Sequence, residues 1–256
     1  NKLIIFNNPN NPTGIIYSPE EVKEISSILK KHNCVVLSDE IYFNLNHDNS
    51  IVSISEFIPE LTIIGSSVSK DMGCGGYRVG WLTFPKSLKL LSDKCASNGS
   101  SIYSCAPTPL QYATNEMLNN NEEFKKHCKL NNLIYKFVAQ KTDSILSKSK
   151  LKYVPTESSW YVFLDFSNYK KYFYEKGIYS SIQLCNYLIE TIGLISVAGK
   201  HFNTDSLSIR VSLVGIDTES IDYLNCKFDK ENIFKHMEEG FNKLVDLLKK
   251  IENYNN

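Results

Sequence analysis

Lysine 70 lies in the stretch Gly65-Ser66-Ser67-Val68-Ser69-Lys70-Asp71-Met72-Gly73-Cys74-Gly75-Gly76-Tyr77-Arg78, directly after a short apolar run. This is not the setting of an ordinary solvated lysine. An amine held partly out of water and near another cation is a nucleophile for an aldehyde, with which it forms a Schiff base. Ser67, Ser69 and Arg78 offer hydroxyls and a guanidinium suited to a phosphate monoester. Gly73, Gly75 and Gly76 let the backbone turn closely around such a ligand. Ser-x-x-Lys alone is a weak signal, because serine β-lactamases use the same spacing. The eight-residue step from Lys70 to Arg78 through glycines is stronger.

Three further segments carry groups of matching chemistry. In Ser38-Asp39-Glu40-Ile41-Tyr42 an acid follows four apolar residues, and burying it calls for a positive partner. A protonated pyridine nitrogen is one such partner, and pairing it with Asp39 keeps the ring an electron sink. Tyr42 is then placed to hydrogen-bond an oxygen on that ring. Taken alone, Asp39 reads equally well as a helix N-cap. Asn7-Asn8-Pro9-Asn10-Asn11-Pro12-Thr13-Gly14 is a tight, extended loop fixed by two X-Pro steps. Asn11 is its candidate donor to a ring oxygen, against the plainer reading of an Asn/Pro turn. In Ser208-Ile209-Arg210-Val211-Ser212 an arginine interrupts an apolar strand. It asks for an anion, either a carboxylate gripped bidentately or an internal salt-bridge partner. His201 reads as an exposed loop histidine and receives no role.

The elements that must position these groups alternate in the first third of the chain. Leu3–Phe6, Cys34–Leu37, Leu61–Gly65 and Val79–Phe84 read as strands. Ser18-Pro19-Glu20-Glu21 opens a helix with a capping box, its buried face carried by Val22, Ile25, Ile28 and Leu29, and Asn33 ends it. Runs apolar on both faces and separated by a helix predict a mainly parallel sheet covered by helices, an α/β fold. Such sheets bind ligands at the carboxyl ends of their strands, which is where the first three segments fall. From Pro85 to about Lys150 the pattern is helical, with one helix at 109–119 and a long one at 122–147. A hinge at Pro155–Ser158 leads to strands at 160–166, 194–197 and 207–213 and helices at 180–192 and 231–251, a smaller α+β domain.

Lys+Arg and Asp+Glu both number 28, and no basic run is interleaved with aromatics, so nucleic acid is a poor candidate partner. No stretch approaches the roughly 20 apolar residues of a membrane span. The first residues read as a strand in mid-domain, without the pattern of a signal peptide. The seven cysteines are scattered and form no Cys-x-x-Cys pair. Neither a disulfide framework nor a metal site is expected, and a reducing cytoplasm is the simplest setting.

Together, Asn-Pro-Asn-Asn-Pro-Thr-Gly, Ser-Asp-Glu-Ile-Tyr, Ser-Val-Ser-Lys with Gly-Gly-Tyr-Arg-Val-Gly-Trp, and Ile-Arg-Val-Ser resemble the fold-type I aminotransferases of classes I and II, which use pyridoxal 5'-phosphate (PLP). Order and spacing match as well as content, over essentially the whole chain. The resemblance implies exchange of an amino group between an L-amino acid and a 2-oxo acid. It implies that Lys70 carries PLP and moves the reacting proton, and that Asp39 pairs with the ring nitrogen. Asn11 and Tyr42 would bond the phenolic oxygen, Ser67, Arg78 and more weakly Ser69 would hold the phosphate, and Arg210 would grip the substrate α-carboxylate. Residues 1–150 would be the C-terminal part of the PLP-binding large domain and 151–256 the small domain, in a cytoplasmic homodimer. The family's N-terminal arm, glycine-containing phosphate loop and ring-stacking aromatic have no counterpart here, so the chain is expected to lack an N-terminal part. A PLP-dependent lyase or decarboxylase on the same scaffold, and a non-catalytic aminotransferase-like binding module, remain alternatives.

Overall fold

The structure is a computed structural model that describes residues 2–48 and 51–254. In chain order its elements are β1 (Lys2–Asn7), α1 (Pro19–Lys31), β2 (Cys34–Asp39), β3 (Thr62–Ser67), β4 (Gly80–Thr83), α2 (Lys89–Ile102), α3 (Thr108–Asn119) and α4 (Asn121–Leu146). There follow β5 (Lys152–Tyr153), β6 (Tyr161–Asp165), α5 (Lys170–Glu175), α6 (Ser181–Ile192), β7 (Val197–Ala198), β8 (Ser208–Ser212), β9 (Ile221–Asp222), β10 (Lys227–Phe228) and α7 (Lys235–Tyr254). Two compact units result. The first is the chain up to Pro9 with Ile16–Asn132, the second Asn10–Ile15 with the chain from Leu133 onward.

The first unit is α/β. Its sheet has the order β1-β2-β3-β4, with β1, β2 and β3 parallel and β4 antiparallel to β3. Only a three-residue 3₁₀ turn, Gly75–Tyr77, lies between β3 and β4, too short for a parallel crossover, so the chain turns back on itself. Helix α1 forms where the sequence signals it: the Ser18 hydroxyl accepts from Glu21 N at 3.2 Å, and the Glu21 carboxylate accepts from Ser18 N at 2.8 Å. Val22 and Ser26 are its buried residues, with Ile25 and Leu29 half-buried beside them, while Ile28 is 54% exposed. Ile28 falls off the stripe that the helical period draws through the other three apolar positions. Val22 packs with Phe6, Val36, Ile54 and Ile58, and Tyr17 stacks on Phe6 with centroids 5.4 Å apart.

The second unit is α+β, with an antiparallel sheet of order β5-β6-β8-β7. Val162 and Leu164 of β6, Ile209 and Val211 of β8, and Leu184 and Leu188 of α6 are buried. Helix α7 buries Met237, Phe241, Leu244, Val245, Leu248 and Ile251, a continuous stripe at helical spacing. It starts at Lys235 rather than 231 because the Asp229 carboxylate takes Glu231 N at 2.8 Å and the Asn232 amide at 2.6 Å, which holds that segment in a turn. The strand expected at 194–197 is the two-residue β7, and the β9–β10 hairpin is too short to leave an alternating pattern in the sequence. Among the described residues no helix is long and apolar enough to cross a membrane.

Leu248→Ala is expected to lower stability to denaturant by about 2–5 kcal/mol, the cost of a cavity in a packed core. Ile28→Ala is expected to change it by less than about 0.5 kcal/mol. Equal losses for the two would contradict this burial pattern.

Candidate functional site

In the first unit β1 and β2 end at one level, where Asn7 of β1 pairs with Asp39 of β2 and Asp39 with Gly65 of β3, and β3 runs on to Ser67. Asp39 is half-buried. One carboxylate oxygen accepts from the Asn7 amide at 3.1 Å, the other from Ile41 N at 3.4 Å. Both donors are neutral. Burial therefore pushes its pKa above the ordinary carboxylate value, with Ile41 N–H and the Asn7 amide opposing. Turns rather than a helix follow Asp39, so it is not an N-cap. Those turns, closed by Phe43 N to Glu40 O at 3.0 Å and Leu45 N to Tyr42 O at 2.8 Å, bring Tyr42 into the core with 2% exposure. The next acid, Glu40, faces a different environment, accepting from Ser38 Oγ at 2.9 Å and Ser53 Oγ at 2.5 Å.

Lys70 follows β3. Its ammonium lies 5.8 Å from the centroid of the Tyr42 ring, so these two sequence-predicted residues meet. Its loop is closed at the base by Val68 N to Val79 O at 3.3 Å and Cys74 N to Val68 O at 3.1 Å. Ser67 stands opposite Gly80 across the β3–β4 ladder, and its hydroxyl accepts from Ser69 N at 3.0 Å. A Cβ on Gly80 would come within 3.1 Å of Ser66 O and of the Ser67 Cβ, tighter than ordinary contact, so a glycine suits the close approach of the two strands beside Ser67. Arg78 is exposed, has left-handed backbone at φ 57°, and donates through Nη1 to Gly75 O at 3.0 Å. For a residue with a Cβ that backbone costs about 1–2 kcal/mol, and such strain collects at ligand-holding loops.

In the second unit Arg210 of β8 donates through Nη1 to the Asn11 side-chain oxygen at 2.7 Å. Its guanidinium carbon lies 4.2 Å from the Tyr161 ring centroid and 5.0 Å from that of Phe202. Its Nε is buried without a hydrogen-bond partner. Among the described residues Arg210 makes no ion pair, so the internal salt bridge is not what holds it. A cation stacked on aromatic rings, bonded to a neutral amide and holding an unused N–H suits an anionic ligand. The Asn11 loop is fixed by Gly14 N to Asn10 O at 2.8 Å, Ser158 Oγ to Gly14 O at 2.9 Å and Glu157 N to Gly14 O at 3.2 Å. Gly14 has φ +72°, and a Cβ there would come within 3.0 Å of Thr156 Cγ2 and 3.2 Å of two carbonyl oxygens.

Asn7 is the site residue that the sequence reading missed. It reads there as part of a turn, whereas the parallel register makes it the side-chain partner of Asp39. The strand-end position opposite an acid is the one signal that would have found it. The first unit's residues fit a ring with a cationic nitrogen, an aldehyde and a phosphate. Asp39 has a half-buried carboxylate with neutral donors, Lys70 an amine beside the Tyr42 ring, and the Ser67–Arg78 loop hydroxyls and a guanidinium. Among the described residues no cluster of His, Cys, Asp and Glu could hold a metal ion.

A sequence model of the family described as aminotransferase class I and II matches residues 1–227. A probable kynurenine–oxoglutarate transaminase of Saccharomyces cerevisiae is 30% identical over 211 residues, 78% of this chain and 47% of that protein. An asparagine–oxo-acid transaminase of Streptococcus mutans is 30% identical over 224 residues, 82% of this chain and 52% of that protein. The chain thus spans about half the length of these curated relatives. Among solved structures, a Thermus thermophilus aspartate aminotransferase with maleate superposes with TM-score 0.78 at 24% identity, over 96% of this chain and 57% of that one, a likeness of fold.

Gly14→Ala is expected to destabilise the protein by about 1–2 kcal/mol or more, from the left-handed backbone alone. Denaturant titration measures it, and an unchanged midpoint would mean that the Asn11 loop is not held as described.

Proposed function

Because the chain belongs to the class I and II aminotransferase family, we propose that it moves an amino group between an L-amino acid and a 2-oxo acid, with PLP carried on Lys70. PLP is the cofactor of that family. The observation that carries the reading is the meeting of the Lys70 ammonium with the buried Tyr42 ring, 5.8 Å from its centroid, in the unit whose strand ends hold Asp39 between neutral donors.

When bound, the cofactor supplies the electron sink that makes the substrate's Cα–H acidic. The chain's own residues do the rest. Asp39 would pair with the ring nitrogen, offering it a carboxylate partly out of water. Tyr42 would donate to the phenolic oxygen, the role also assigned to the Asn11 amide nitrogen. Ser67, Ser69 and Arg78 would hold the phosphate. Lys70 would carry the cofactor and serve as the base for the Cα proton. Arg210 would hold the substrate α-carboxylate and so orient the Cα bonds. On the same reading Asn1–Lys150 is the C-terminal part of the cofactor-binding domain and Leu151–Asn256 the small domain, in a homodimer that works in the cytoplasm. The donors named for the relatives differ, so the reading stops at L-amino acids as a class.

The protein supplied with PLP is expected to gain an absorbance band above the protein band. Lys70→Ala is expected to lose the link that borohydride makes permanent and to lower transfer by roughly 10²- to 10⁴-fold or more. Asp39→Asn is expected to keep the band while slowing transfer, because a neutral partner no longer holds the ring proton. A panel of amino donors should convert the band, and a 2-oxo acid should restore it. No conversion with any donor would overturn the proposal, and ammonia released without an acceptor would replace it with the lyase reading.

A further inference from the structure

Asp71 follows Lys70 and is 5% exposed, although a surface loop rarely hides an acid. Its carboxylate accepts from the Asn44 amide at 2.7 Å. Its main-chain oxygen accepts from the Asn131 amide of α4 at 3.0 Å, and His127 Nε2 lies 3.2 Å from the same oxygen. Asn131 also stands 2.9 Å from His127 Nε2, so its two amide protons serve the carbonyl and, in the tautomer that leaves Nε2 a lone pair, the imidazole. All four residues lie in the first unit.

The connectivity of this network matters. Asn44 is two residues beyond Tyr42, and Asp71 is one beyond Lys70. The Asn44–Asp71 bond therefore ties together the two segments that bear the tyrosine and the lysine. Beyond Asp71 the loop passes through Gly73, Gly75 and Gly76, where backbone is soft. A lysine side chain has four rotatable bonds, so its reach is reproducible only if its Cα is fixed. Burial raises the Asp71 carboxyl pKa, with the Asn44 bond the first of the contacts that oppose it. An acid kept there at that cost marks a constraint, not a solvated surface.

We propose that Asp71 is a positioning residue for Lys70. Its carboxylate, clasped by Asn44, and its carbonyl, held by Asn131, fix the lysine's backbone relative to Tyr42, so that the ε-amine returns to one place each time it is freed. This rests on the reading that Lys70 carries the cofactor.

The test exchanges the two partners. Asn44→Asp sets two carboxylates against each other, and Asn44→Asp with Asp71→Asn restores a donor and an acceptor in reversed places. The single variant is expected to lower kcat by about 10- to 100-fold with KM little changed, and to shift the pH midpoint of the visible band. In the cofactor-free protein it is expected to speed amide hydrogen exchange across residues 69–78. The double variant is expected to recover all three. Asn44→Ala makes the same comparison without a second charge if Asn44→Asp does not fold. Unchanged kcat, band midpoint and exchange in the single variants would overturn the proposal, as would a folded double variant that recovers none of them. Lys70→Ala separates the two levels: if borohydride still fixes the cofactor to that variant, the cofactor reading fails; if the link is lost while the clasp variants behave as wild type, the clasp alone fails.

Discussion

A carboxylate held half out of water by neutral donors is the constraint from which the rest of the first unit follows. Asp39 ends an apolar strand that pairs on both sides, so the ladder fixes its height, and the turn after it prevents retreat toward solvent. Desolvation penalises its charge, and Ile41 N–H and the Asn7 amide offset only part of that penalty. An environment of this kind favours a cationic ligand more strongly than any solvated acid does, because the attraction acts where water does not screen it. The parallel register sets the ends of β1 and β2 beside β3, the strand that leads into the Lys70 loop, which is where sheets of this kind bind ligands.

Arg210 poses the same problem with the opposite sign. A guanidinium on a central strand of an antiparallel sheet must be paired or stacked, and here it is stacked on Tyr161 and Phe202 and bonded to an amide. Aromatic faces stabilise the cation without neutralising it. The charge therefore stays available to an anion, which a salt bridge would have consumed. Both units thus keep a charge incompletely compensated, and each invests rigid local structure in doing so: the strand-end register around Asp39, and the Gly14-locked loop that presents Asn11 to Arg210.

Local chemistry made part of this legible from sequence. An acid after four apolar residues, a lysine before a glycine run and an arginine inside an apolar strand are anomalies that a single chain displays without its fold. The capping box of α1 and the apolar stripe of α7 are equally local, since their period is read within one segment. The partners of these residues were not legible. Asn7 lies 32 residues from Asp39, Asn44 27 from Asp71, and Asn131 60 from Asp71. Each pairing depends on strand register, loop conformation or helix packing that no spacing encodes. Ile28 shows the converse failure: its residue type suits a core, but its helical phase puts it in water.

On the proposed reading, the loop that carries Lys70 joins two requirements that oppose each other. A backbone that wraps a phosphate closely needs glycines, and glycines spread the conformations it can adopt. An amine that must return to one atom of a bound ring needs the reverse, because an error of about 1 Å in placement costs roughly 10²-fold in rate. The chain separates the two along its length. The glycines lie on the far side, at positions 73, 75 and 76, while the lysine's own side is fastened by main-chain bonds at Val68 and by Asp71. Fastening through a buried acid is costly, but an apolar side chain at position 71 would leave the Asn44 amide without its carboxylate partner and would free the tie between the two segments. An acid suits this position because hydrogen bonds are directional and dispersion contacts are not, and direction is what a reproducible lysine requires.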